Sequence, residues 1–152
     1  LLGACTDKPI EIYPMGNIWE VYKSYGNHKH EYYVVYNTGG KSPQEIENSI
    51  LEFNRKTISI DTILKYDASY IRRFFKKTRT LTPDYKEEGN DAILDHSDDS
   101  LLAIRWTRCR NSLICINGGG AFTERYFEYQ FRLSEANLDS ILNPVLKTKI
   151  QD

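Results

Sequence analysis

A chain of 152 residues with 27% charged and 40% hydrophobic side chains has the size and balance of one folded domain, large enough to hold a core without a metal or a disulfide. Its net charge of −1 argues against a dedicated nucleic-acid binder, which normally carries a strong basic excess, and no apolar run is long enough for a membrane-spanning helix. Eleven tyrosines suit both strands and binding surfaces, because the ring is apolar and the hydroxyl polar.

The chain opens with Leu1-Leu2-Gly3-Ala4-Cys5. Leu2-Gly3-Ala4-Cys5 resembles the lipobox of bacterial lipoproteins, in which a leucine, two small residues and a cysteine end the signal peptide. Small side chains before the cut are what a signal peptidase needs. The resemblance implies that residues 1–4 are the remnant of a signal segment and that Cys5 is the lipidated anchor. It places the protein in the bacterial cell envelope, held to a membrane through Cys5. Thr6-Asp7-Lys8-Pro9 is a poor version of the acidic run that accompanies surface display, which favours the periplasmic side. Residues 5–16 then read as a tether, 17–145 as a single domain and 146–152 as a tail.

Ile18–Lys23 and Glu31–Tyr36 are rich in aromatic and β-branched residues and flank the polar stretch Ser24–Lys29, so they predict a hairpin. Ser42-Pro43-Gln44-Glu45 predicts a helix start, with Ser42 as cap, Pro43 in the first position and Glu45 completing a capping box. Ile46, Ile50 and Phe53 continue it at helical spacing and the pattern fades near Lys56. Tyr70–Lys77 fits a strand by residue type and a helix by its Tyr70/Phe74 and Ile71/Phe75 pairs, with strand the preferred reading, and Leu81–Asp99 reads as a long polar loop broken by Ala92-Ile93-Leu94. Leu102, Ile104 and Trp106 alternate with Ala103, Arg105 and Thr107, predicting a strand with one buried face. Turns at Arg110-Asn111 and at Asn117-Gly118-Gly119-Gly120 would fold the rest into a three-stranded meander ending in Arg125–Phe131. A final helix is expected from Ser134, with Leu133 and Leu138 as a staple. Strands, helix, strands, helix without a βαβ rhythm give an α+β domain with two helices on a largely antiparallel sheet.

Candidate chemistry is sparse. Gly39-Gly40-Lys41-Ser42 stands where a phosphate-binding loop would lie, but that motif needs a glycine where Val35 stands, so it reads as a capped helix start and no nucleotide is expected. His28-Lys29-His30 falls at the tip of the predicted hairpin, and His96 stands among Asp95, Asp98 and Asp99; nothing joins the two groups into a metal site. With a two-residue turn at Arg110-Asn111, Cys115 would face Trp106 and the side chains of Cys109 and Cys115 would point to opposite faces; a three-residue turn would put them on one face but two positions out of register, and either arrangement leaves two free thiols. No catalytic constellation, metal or cofactor is assigned.

Charge is more informative. Lys65–Arg79 holds six basic residues against Asp67 alone, and Asp84–Asp99 holds seven acidic ones against Lys86 alone. Opposed potentials steer association, and loops carry binding more often than scaffolds do. Asp95, Asp98 and Asp99 are therefore the expected contacts for a protein partner with a basic surface. These features together predict a lipid-anchored envelope protein that acts by binding, of the kind that gives immunity to a toxin in the periplasm, and not an enzyme. The alternatives are a hydrolase using loop carboxylates and His96, or a structural envelope module. No nucleic-acid partner is expected.

Overall fold

Strands take the segments richest in aromatic and β-branched residues. In the computed structural model, which describes residues 8–22, 26–86, 92–110, 113–120, 122 and 125–132, β1 spans Glu11–Tyr22, β2 His28–Tyr36, β3 Ser69–Lys76, β4 Ser100–Arg110, β5 Leu113–Gly120 and β6 Arg125–Arg132. Helices α1 (Pro43–Thr57) and α2 (Ile60–Lys65) lie between β2 and β3, and a 3-10 helix, Ala92–Asp99, leads into β4. The strands form one sheet in the order β1-β2-β3-β4-β5-β6, antiparallel except for the parallel pair β2 and β3. A parallel pair needs a crossover of a dozen or more residues, and α1 with α2 supplies it. The chain is a single α+β domain in which the expected N-terminal hairpin and C-terminal meander are both present.

Helix α1 starts as its residues dictate. Ser42 caps it, its side chain accepting from the Glu45 backbone N–H at 3.2 Å, and Pro43 takes the first turn. Ile46, Ile50 and Leu51 of α1 and Ile63 of α2 pack into one core with Tyr33, Val35, Tyr70, Phe74, Leu102, Ile104 and Trp106. Helix α2 is additional to the sequence expectation; Ser59 caps it by accepting from the Thr62 N–H at 3.2 Å. The helix expected from Ser134 lies outside the described residues.

β3 is central, and Tyr70, Ile71, Phe74 and Phe75 are all buried. Burial on both faces removes the alternation that identifies a half-exposed strand, which is why this segment also carries helix-like pairs. A second apolar cluster, on the face away from the helices, joins Met15, Tyr32, Val34 and Phe75 to Leu81 and Ile93. The segment between β3 and β4 thus anchors two of its own residues under the sheet, and its later part is a 3-10 helix where a loop was expected.

Three segments differ from the sequence reading. β1 begins at Glu11, inside the stretch expected to be a tether, and Met15 is buried in the second cluster. Register jumps between Pro14 and Trp19, where proline lacks a ladder donor, and the Gly16 N–H instead bonds the Pro83 carbonyl at 3.3 Å. His28–His30 belong to β2 and pair with Tyr22 to Glu20, so they are not a hairpin tip. Asn117–Gly120 is strand: Asn117–Gly119 pair with β4 and all four residues pair with β6. Gly118 and Gly120 serve close approach rather than a turn. A Cβ on Gly118 would sit 2.6 Å from the Phe127 ring and 2.7 Å from the Ala103 carbonyl, and one on Gly120 would collide with the Leu101 carbonyl.

Candidate functional site

Cys109 and Cys115 are joined by a disulfide, with Cα atoms 5.7 Å apart, a separation typical of such bridges. This corrects the expectation of two free thiols. The cause is a bulge: Arg108 pairs with Ile114 and Arg110 with Leu113, so Cys109 is an extra residue on β4. Cys115 lies opposite Thr107, not Trp106, which puts it diagonal to Cys109 on the same face. The bulge closes the remaining gap.

A polar cluster lies between β2, β3 and α1. Arg72 is 4% exposed. Its Nη1 donates to Asn54 Oδ1 at 2.9 Å and to Thr57 Oγ1 at 2.7 Å, its Nε donates to the Tyr70 hydroxyl at 2.9 Å, and its guanidinium lies 5.0 Å from the centre of the Tyr33 ring. Tyr33 and Tyr70 both donate to Glu31 Oε1 at 2.6 Å, and Lys29 Nζ is 3.1 Å from Oε2. Burial alone would push the Glu31 carboxyl up, but the two phenol hydrogen bonds, then the Arg72 charge and Lys29, outweigh it and hold Glu31 below the usual carboxylate range. Burial pushes the Tyr33 and Tyr70 hydroxyls up, against the Arg72 charge and with help from Glu31. A carboxylate so stabilised is a poor proton acceptor. The cluster ties α1 to the sheet. A cavity of about 300 Å³ beside it, at the β1 irregularity, is lined by Pro14, Met15, Gly16 and the Lys29–Glu31 end of the cluster.

The acidic segment ends in the 3-10 helix. Asp95 and Asp98 are exposed and Asp99 is half-buried. The Asp99 carboxylate lies 3.9 Å from His96 Nδ1, and the His96 ring stands edge-on to Tyr85 at 5.5 Å. The three expected partner contacts are therefore adjacent, two of them fully presented. Neither this cavity nor the groove described next is lined by Asp95 or His96. The basic segment does not form one surface: strand alternation sends Arg72 inward and Arg73 to the other face. Among the described residues no group of three or more His, Cys, Asp or Glu could hold a metal ion, and no helix is long and apolar enough to cross a membrane. Cys5 lies outside the described residues.

The second site that sequence reading missed is the sheet face away from α1. Arg73, Ala103, Gly119 and Tyr126 form one cross-strand row, and Ile71, Arg105, Asn117 and Glu128 form the next. Together they line an open groove of about 510 Å³. Tyr126 is 82% exposed and Arg105 is exposed. Its only sequence signal was the polar half of the alternation in β4. The residues converge from four strands, and their meeting depends on register.

Against this geometry, no family model, no curated protein and no solved structure matches the chain.

Proposed function

We propose that the protein is a lipid-anchored component of the bacterial cell envelope that works by binding another protein, of the kind that gives immunity to a toxin in the periplasm. The observation that carries this reading is the Cys109–Cys115 disulfide. Disulfides persist in oxidising compartments and are rare in the cytosol, so the bridge and the lipobox-like Leu2-Gly3-Ala4-Cys5 point to export independently of each other. Asp95 and Asp98 are exposed on the 3-10 helix beside Asp99, which suits them to a partner with a basic surface.

The intact mass of the protein, expressed from its full reading frame and isolated from bacterial membranes, tests the anchor. Cleavage before Cys5, added acyl chains and a mass two hydrogens short for the disulfide are expected. A soluble, unmodified and uncleaved chain overturns the reading. Partner contact is tested by reversing Asp95, Asp98 and Asp99 to lysine. Capture of an envelope protein by the wild-type chain should be lost with the melting temperature unchanged, and unaltered capture removes these residues from the interface.

A further inference from the structure

The groove on the open sheet face differs from the acidic turn in both place and charge. Its floor is flat because the two central positions of its first row are Ala103 and Gly119, which raise almost no side chain. Arg73 and Tyr126 stand at the two ends of that row, on β3 and β6. Three strand spacings of about 4.8 Å put their backbones about 14 Å apart. Arg105 rises from the next row, diagonal to Arg73. Among the described residues, neither Arg73 nor Arg105 makes an ion pair or a side-chain hydrogen bond. Two guanidiniums on neighbouring strands, left without carboxylates, are complementary to paired anionic oxygens, which arginine grips in bidentate fashion.

We infer that this groove binds an acidic segment of a partner protein, its carboxylates taken by Arg73 and Arg105 and its backbone laid across Ala103 and Gly119 under the Tyr126 ring. A segment of a larger chain fits better than a free small molecule. The groove is open to solvent, whereas small-ligand sites enclose most of their ligand. Tyrosine and arginine are also the side chains that dominate protein interfaces when buried there. Glu128, at the β6 end of the second row, repels an anion and so fixes which end of the groove the carboxylates occupy. Asn117, between Arg105 and Glu128, is placed to bond the segment's backbone. This inference goes beyond the envelope reading and does not depend on Cys5.

The test is fluorescence anisotropy on the full 152-residue chain without lipid, using a short fluorescein-labelled peptide rich in Asp and Glu. An Asn- and Gln-substituted peptide, glutarate and inorganic phosphate serve as comparisons. Saturable binding of the acidic peptide alone is expected. Arg105→Gln and Arg73→Gln should each weaken it about tenfold, as loss of one charge-assisted bond does. Tyr126→Ala should weaken it and Glu128→Gln should strengthen it. All four side chains lie on the exposed face, and unchanged thermal melts confirm that the variants fold. Absence of saturable binding overturns the inference, as does wild-type affinity in Arg105→Gln. Competition by glutarate or phosphate at the peptide's own affinity overturns it in favour of a small anion. Because the assay needs no anchor, its failure would leave the mass measurement untouched, and the reverse also holds.

Discussion

Arg72 and Arg73 are neighbours in β3 with opposite fates. Arg72 points to the helix side, where Asn54, Thr57, Tyr70 and Glu31 surround its guanidinium. Arg73 points to the other face, beside Ala103 and an open groove. A strand's period of two assigns one arginine to holding the fold and leaves the other available to a partner. Identical chemistry at adjacent positions thus carries no common role, and the charge run that both belong to is not a surface.

The sharpest way to break this contrast is to replace each arginine separately. Arg72→Leu takes the guanidinium from the half-buried Glu31 carboxylate and from Asn54 and Thr57; with Lys29 still beside Glu31, the loss should be about 3 kcal/mol, the low end for breaking a buried pair. Arg73→Gln should change stability by no more than about 0.5 kcal/mol. Urea titration of the two variants checks both values, and equal losses would show that the faces are not divided as described.

Acid and alkali sharpen the same contrast, because the groups with shifted titration in this region sit on the helix side. The Glu31 carboxyl is held low, so its contribution is complete above the ordinary carboxylate pKa and is lost as pH falls through the folded value. Tyr33 and Tyr70 are held high. Their contribution is complete below the ordinary phenol pKa, near 10, and is lost as pH rises past it. Melting temperatures should therefore fall on both flanks. Glu31→Gln should flatten the acid flank; a variant with the wild-type acid flank would remove Glu31 as its source.

The open face also carries the Cys109–Cys115 disulfide. It closes a loop with a sequence separation of 6, for which the chain-entropy argument gives about 2 kcal/mol. The paired change Cys109→Ser and Cys115→Ser should cost about that much in denaturant unfolding, less than Arg72→Leu. A smaller loss than that of the disulfide belongs to the helix cap: Ser42→Ala should cost about 1 kcal/mol, and Ser42→Gly only a few tenths. A loss from Ser42→Ala as large as that from the missing disulfide would mean that the cap also orders the crossover.

How much of this was legible in the residues depends on whether a feature is local. Ser42-Pro43-Gln44-Glu45 announces its helix because cap, first turn and apolar spacing lie within a few positions. Leu102, Ile104 and Trp106 announce a strand for the same reason. The disulfide was hidden by one extra residue, Cys109, whose bulge no alternation pattern marks. Gly118 and Gly120 were misread because glycine serves both turns and close approach, and only the neighbouring strands decide which. Here the Ala103 and Leu101 carbonyls decide. The groove was least legible. Arg73, Arg105, Asn117 and Tyr126 look unremarkable in their own strands, and they meet only through three successive registers.

The parallel pairing of β2 with β3 also bears on how the molecule assembles. Its two strands are separated by the whole crossover through α1 and α2, so closing that loop costs chain entropy before the pairing returns any stability. The meander of β4, β5 and β6 joins sequence neighbours and can form from short loops, which close in well under a microsecond. The C-terminal half should therefore act as the template on which the central pair is completed last, since non-local contacts set the pace of folding. Substitutions in the β4–β5 hairpin should slow refolding, whereas conservative changes at Val34 or Val35 in β2 should mainly speed unfolding.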